Sequence, residues 1–282
     1  MCRGVRAAEE ARGPAFGVDV MRIIIATIFP DFVRVVKEYG VIAQAVEEGR
    51  IEIEIMNLRD FTHDRHRIVD DYPYGGGPGM VMKPEPFFEL YDHCKQRFKD
   101  LYTILTSPQG VTLNNRLAME LSKKGNLLIF CGRYEGVDER VKSLVDLEVS
   151  IGDYVLSGGE LAAMVICDVV SRFVPGVVEE ESVKRDSFYN DLLDHPQYTR
   201  PAEYRGLRVP EVLLSGNHEM VQLWRTAESL KLTALRRPDL FLTRQFSVEE
   251  KKGLIYLIQE LVKYVEGRQD SPDSLSSSGK RW

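Results

Sequence analysis

Two glycine-rich loops within about 30 residues carry the side chains from which a ligand site could be built: Cys131-Gly-Arg-Tyr-Glu-Gly136 and Ile151-Gly-Asp-Tyr-Val-Leu-Ser-Gly-Gly-Glu160. Glycine lets backbone approach a bound molecule, and the polar and aromatic residues between the glycines can orient it. The same pattern also describes two strand-to-helix turns, and spacing alone leaves both readings open. A third loop, Thr106-Ser-Pro-Gln-Gly110, follows a short apolar run. A fourth, Asp70-Asp-Tyr-Pro-Tyr-Gly-Gly-Gly-Pro-Gly79, lacks the Gly-Lys-Ser/Thr ending of a phosphate-binding loop and reads as a flexible lid. None of them matches the Gly-x-Gly-x-x-Gly dinucleotide pattern, which disfavours an ordinary Rossmann cofactor site. His63 and His66 stand three apart without a third partner and are not assigned a metal. Arg172 ends an apolar helical pattern, where the helix dipole favours a cation. Asp186 stands in a polar stretch, and nothing in its spacing singles it out.

Loops of this kind need a scaffold, and the first half of the chain supplies one. Arg22–Ile28 is a continuous apolar run of strand length, as expected of a strand buried on both faces. Ile51–Ile55, Tyr102–Thr106 and Leu127–Cys131 read as further strands, with helices expected over Phe32–Glu48, Glu85–Lys99 and Asn114–Ser122. Strand and helix alternate, which predicts an α/β domain with a mostly parallel sheet. Glu160–Phe173 reads as a largely buried helix stopped by Pro175, and Val177–Pro201 as a mobile connector. The helical patterns at Glu219–Arg236 and Ser247–Glu266 then predict a small helical domain. Residues 1–20 look like an extension or a start-site overcall, and the stretch from about Asp270 like a loose tail.

The chain has 282 residues and a net charge of −6, so blanket nucleic-acid binding is disfavoured while a local basic face remains open. Trp224–Arg244 holds Arg225, Lys231, Arg236, Arg237 and Arg244 against Glu228 and Asp239, either an RNA-facing surface or a solvated helix face. No apolar run approaches the ~20 residues of a membrane span. Four cysteines without Cys-x-x-Cys spacing suggest reduced thiols in the cytoplasm rather than a disulfide framework or a zinc site.

Tyr74-Gly-Gly-Gly-Pro-Gly-Met80, Ser107-Pro-Gln-Gly110, the two opening loops, Arg172-Phe-Val-Pro-Gly176, Asp186-Ser-Phe188, Leu192-Leu-Asp-His-Pro-Gln-Tyr-Thr-Arg-Pro201 and Ser215-Gly-Asn-His218 occur in that order. Together they resemble the bacterial tRNA (guanine-37-N1)-methyltransferases of the SPOUT class, from about Met21 to Glu266. The resemblance implies a cofactor domain over 21–177 with a C-terminal deep trefoil knot, a connector over 178–200 and a tRNA-binding helical domain over 201–267, while the expected disordered extension at 1–20 and disordered tail at 268–282 lie outside it. It implies S-adenosylmethionine as methyl donor. By motif, the donor is held by Leu105, Thr106, Ser107, Pro108 and Gly110, by Gly132, Arg133, Tyr134, Glu135 and Gly136, and by Ile151, Gly152, Asp153, Tyr154, Val155, Leu156, Gly158 and Gly159. Side chains at the glycines would hold the adenine away from the backbone. Asp186 is implied as general base and Arg172 as support for charge on O6, with Mg²⁺ near Glu135. Arg225, Lys231, Arg236 and Arg237 are expected to meet the anticodon stem-loop. A homodimer with sites at the subunit interface, no membrane association and a cytoplasmic location complete the expectation. Lys184 and Arg185 depart from the family, in which acidic residues commonly precede the aspartate of the Asp-Ser motif.

Overall fold

The computed structural model describes residues 20–269. The chain divides into two compact units, up to Val183 and from Lys184 onward. In the first, β1 (Met21–Thr27) is followed by α1 (Pro30–Arg34), α2 (Gly40–Glu47) and β2 (Ile51–Asn57). The short strands β3 (Asp70–Asp71) and β4 (Val81–Met82) lead to α3 (Pro84–Arg97), β5 (Leu101–Thr112), α4 (Asn115–Leu121), β6 (Asn126–Cys131), β7 (Leu147–Ser150) and α5 (Glu160–Ser171). Five strands form one sheet in the order β2-β1-β6-β5-β7, and every pairing in it is parallel.

Alternation along β1 explains why that run is apolar throughout. Ile23 and Ile25 point into a core shared with Ile42, Ile129, Ile166 and Val170, while Ile24 and Ala26 face the opposite core of Phe87, Leu90 and Phe130. Both sheet faces are therefore dry, as parallel sheets require. On the second face Phe87 and Phe130 meet edge to face, with centroids 5.1 Å apart.

Two expected elements differ. The single helix expected over Phe32–Glu48 is broken: α1 passes into a 3₁₀ turn at Val35–Lys37, Tyr39 is extended (φ −137°, ψ 153°), and Gly40 takes φ +68° before α2 begins. A positive φ costs glycine little, so the apolar periodicity survives a reversal of direction. The strand expected over Tyr102–Thr106 runs on to Thr112. Thr106 and Val111 both pair with Val149, which extrudes Ser107–Gly110 from the ladder as a large bulge.

The second unit contains α6 (Glu180–Arg185) across its boundary, then a two-strand ladder of β8 (Glu203–Tyr204) and β9 (Leu207–Arg208), followed by α7 (Glu211–Leu214), α8 (His218–Arg236), α9 (Pro238–Leu242) and α10 (Val248–Gln269). The small ladder was not expected from sequence. On α8, Trp224, Ala227, Leu230 and Thr233 are buried at a spacing of three. Gly253 lets α10 cross close to α8, since a Cβ there would lie 2.9 Å from Thr226 Cγ2 and 3.3 Å from the Ala227 nitrogen. α10 opens on a capping box, with the Glu250 N–H donating to Ser247 Oγ (3.2 Å) and the Ser247 N–H to Glu250 Oε2 (2.8 Å).

Candidate active site

The carboxyl ends of β5, β6 and β7 open into a cavity of about 470 Å³ in the first unit. Its three walls are the Ser107–Gly110 bulge, the turn after β6, and the segment from β7 to α5. Of the residues expected to hold a donor molecule, Leu105, Thr106, Ser107, Pro108, Gly132, Arg133, Tyr134, Glu135, Gly136, Ile151, Gly152, Tyr154, Val155, Leu156, Gly158 and Gly159 line it. Gly110 and Asp153 do not. Gly110 has a packing reason instead: a Cβ there would stand 2.4 Å from the Glu148 carbonyl carbon and the Val149 nitrogen, where the bulge closes onto β7.

The walls hold one another. The Gly159 N–H donates to the Gly132 carbonyl (2.8 Å), and Arg133 and Gly158 form an isolated antiparallel bridge. A Cβ on Gly159 would come within 2.0 Å of Thr106 Oγ1 and 3.0 Å of Cys131 Cα. Gly136 adopts φ +132° and Gly152 φ +144°, while Tyr134 holds the left-handed region at φ +60°. Ser150 fixes the third wall by accepting the Gly152 N–H at its hydroxyl (3.2 Å). Beneath Gly132, burial pushes the Cys131 thiol well above its ordinary value, so this cysteine fills space and is no nucleophile.

Glu160 is 1% exposed at the first turn of α5. Its Oε1 accepts from the Thr27 hydroxyl (2.9 Å), and its Oε2 pairs with Arg133 Nε (3.3 Å), whose guanidinium lies 4.4 Å from the Phe29 ring centroid. The end of the Tyr74 loop also joins this side: the Glu135 N–H donates to the Met80 carbonyl (3.0 Å), and the Met82 N–H to that of Gly136 (2.9 Å). Tyr74 itself is fully exposed, and Gly75, Gly76 and Gly77 all have positive φ.

Sequence reasoning passed over Gln109, Lys142 and Glu148, which also line the cavity. Lys142 Nζ sits 3.2 Å from Glu139, 3.4 Å from Glu148 and 3.3 Å from Gln109 Oε1. The hydrogen bond to Glu139 leads the contacts that hold its ammonium above the ordinary lysine value. For Glu148 the apolar-polar alternation of Leu147–Ser150 was the available signal, but four residues are too few to mark a strand.

Arg172 is the C-cap residue of α5 and does not line the cavity. Asp186 belongs to the second unit, where it lines a separate cavity of about 280 Å³. The segment that follows it is tied to α8: the Leu193 N–H donates to Thr233 Oγ1 (2.9 Å), and Ser229 Oγ donates to the Leu193 carbonyl (2.5 Å). Among the basic residues of this unit, Lys231 pairs with Glu228 and Arg237 with Asp239, and Arg225 is partly buried. Arg236 is exposed and makes no ion pair among the described residues. Its charge therefore dominates a face that looked more densely basic in sequence. His63 pairs with Glu89 at 2.6 Å. Among the described residues, no three His, Cys, Asp or Glu side chains gather to hold a metal ion, and Glu135 alone is not the ligand set of an octahedral cation. No helix among them is long and apolar enough to cross a membrane.

A ligand-sized cavity at the carboxyl ends of a parallel sheet, walled by glycine loops, is the arrangement of an α/β protein with a small-molecule site. The particular family follows from comparison: residues 21–243 match the family described as tRNA (guanine-1)-methyltransferase TrmD, and the chain belongs to it. It is similar to the tRNA (guanine-N(1)-)-methyltransferase of Fervidobacterium nodosum, 68% identical over 86% of this chain and 99% of that one. The protein of the same name from Thermotoga petrophila is 62% identical over the same shares. The crystal structure of tRNA (m1G37) methyltransferase from Aquifex aeolicus superposes with a TM-score of 0.66 at 45% identity, covering 79% of this chain and 96% of that chain.

Proposed function

We propose that the protein transfers a methyl group from S-adenosylmethionine to N1 of guanine-37 in tRNAs carrying guanine at position 36. The observation that carries this reading is the cavity itself, in which sixteen of the eighteen residues assigned to the donor by motif converge within a chain of this family. Its volume lies within the roughly 300–1,000 Å³ of small-molecule sites.

The bound donor would supply an activated methyl on a sulfonium. Guanine N1 carries a proton and attacks poorly until it leaves. Asp186 takes that proton as the N1–methyl bond forms and the methyl–sulfur bond breaks, leaving a neutral thioether. Arg172 supports the negative charge that grows on O6. No step is assigned to Mg²⁺, because Glu135 belongs to no cluster of three His, Cys, Asp or Glu side chains among the described residues. The helical unit, with Arg225, Lys231, Arg236 and Arg237 on α8 and its end, docks the anticodon stem-loop through phosphate contacts. The trefoil knot is supported by the return of the chain from β7, at the sheet edge, to the end of β6, where the Gly159 N–H donates to the Gly132 carbonyl and Gly158 bridges Arg133. A second copy is supported by Leu161 and Val165, large apolar side chains exposed at a spacing of four on α5. A cytoplasmic location follows from the substrate.

Single-turnover methylation with the product nucleotide mapped tests the reading. Wild type is expected to yield 1-methylguanine at position 37. Asp186→Ala and Asp186→Asn are each expected to lose about two or more decades in rate with unchanged donor affinity. Methyl at another nucleotide refutes the substrate, and near-normal rates in both variants remove Asp186 from the chemistry.

A further inference from the structure

Arg133 is held more rigidly than a cavity-wall residue needs to be. Its Nε is taken by Glu160, its guanidinium rests over Phe29, and its backbone bridges Gly158. Glu160 is in turn fixed by the Thr27 hydroxyl, which itself accepts the Phe29 N–H at 2.9 Å. The end of β1, the turn after β6 and the start of α5 are thereby joined through one buried carboxylate. Gly158 is required by this pair, since a Cβ there would lie 2.4 Å from Glu160 Oε2 and 2.7 Å from Arg133 Nε. Both terminal guanidinium nitrogens of Arg133 remain without a partner among the described residues, on a side chain that lines the cavity and is 26% exposed.

We infer that Arg133 is an anion-binding residue of the cavity and that Glu160 is its positioning residue. The ligand group is a carboxylate or phosphate oxygen, because two parallel N–H donors on a preset planar fork match that geometry. In the proposed reaction that group is either the amino-acid carboxylate of the donor or a phosphate of the RNA. Glu160 fixes the fork before the anion arrives, so less side-chain freedom is lost on binding. The inference rests on the reading that this cavity takes an adenosyl donor.

The test compares wild type, Arg133→Gln, Arg133→Lys and Glu160→Gln by calorimetric titration with S-adenosylhomocysteine and with 5′-methylthioadenosine, which lacks the amino-acid part, and by KM for tRNA. If the donor carboxylate is the partner, Arg133→Gln weakens S-adenosylhomocysteine by about ten- to a hundredfold and leaves methylthioadenosine within twofold. If an RNA phosphate is the partner, both adenosine ligands bind as before, while the KM for tRNA rises by a similar factor with a shallower salt dependence. In either case Glu160→Gln gives the same pattern at smaller amplitude, and Arg133→Lys, which keeps the charge and loses the fork, recovers part of it. Equal weakening of both adenosine ligands would reduce Arg133 to a wall support and overturn the inference, as would no change in any of the three. Should Glu160→Gln fail to fold, the two Arg133 variants still decide between these outcomes. Failure of wild type to bind either adenosine ligand would instead sink the reading of the cavity.

Discussion

Replacing Gly159 by alanine isolates the packing of the cavity walls from backbone strain. Gly159 has φ −79° and ψ −5°, ordinary right-handed geometry, so alanine pays no conformational penalty there. Its Cβ would nevertheless stand 2.0 Å from Thr106 Oγ1 and 3.0 Å from both Cys131 Cα and the Gly132 nitrogen. Thr106 can move only by giving up the bond from its hydroxyl to the Phe130 carbonyl (3.1 Å), leaving a buried donor without that partner at about 1–3 kcal/mol. The backbone contacts cannot rotate away, and the resulting overpacking adds about 1–3 kcal/mol. A total of about 2–6 kcal/mol is expected in urea unfolding, together with weaker binding of S-adenosylhomocysteine. The unfolding is best followed by far-UV circular dichroism, because the chain up to Val183 contains no tryptophan. In a Thr106→Ala background the worst overlap disappears, so the same substitution should cost about 1–2 kcal/mol less. Gly49→Ala is the control: φ is +68° with nothing within 4 Å, and only the left-handed penalty of about 1–2 kcal/mol applies. A Gly159→Ala cost below about 0.5 kcal/mol, or a cycle additive within that margin, would refute the steric account.

The helical unit should weaken in acid through Glu250. Burial acts to raise its pKa, but the Arg244 side chain and the Ser247 N–H outweigh it and hold the carboxyl below its ordinary value of 4.5. A depressed carboxylate contributes stability above the unfolded pKa and loses it as the pH falls through the folded value. The gap in urea midpoint between wild type and Glu250→Gln, read by Trp224 fluorescence, should therefore be widest near neutral pH and close as the pH falls below the ordinary glutamate value; a gap independent of pH would remove the pair from the account. Arg236→Glu should weaken tRNA binding and lower the slope of log K against log salt by about one, with a smaller effect for Lys231→Glu, since Lys231 is already paired with Glu228. Equal effects at the two positions would show that the pairing does not set the surface charge.

The strands of the sheet centre were legible because burial on both faces writes an unbroken apolar run, as in Ile23–Ala26 and Leu127–Cys131. Elements defined by backbone reversal or by short length were not. Nothing in the periodicity of Phe32–Glu48 registers the turn at Tyr39–Gly40, because both halves present apolar residues to the same core, Val33 from one and Ile42 from the other. β7 went unseen for its length, and with it Glu148, while Lys142 lies in the short 3₁₀ segment Glu139–Leu144, which carries no periodicity of its own. The cavity walls were legible only through motifs. Their residue types allow either a turn or a site, and the choice depends on which strands lie side by side, a property of sheet order rather than of any local window. The thinning of the basic face on α8 was hidden for a related reason: Glu228 and Asp239 count as two charges in composition but cancel specific cations in space.

The glycines themselves carry the wider argument. In sequence they suggest bare backbone kept clear for a ligand. In the structure, the atoms that a side chain would strike at Gly110, Gly132, Gly158 and Gly159 belong to the protein: the β7 backbone, Val137, the Arg133–Glu160 pair and Thr106. These positions bring the three walls into contact with one another. A cavity assembled in this way is shaped before any ligand enters, and its floor is a parallel sheet that cannot adjust without disturbing two cores. Affinity for a nucleoside then depends less on contacts any one loop makes than on keeping three loops in register. That is why a methyl group added behind the wall, at Gly159, should be felt by the ligand in front of it.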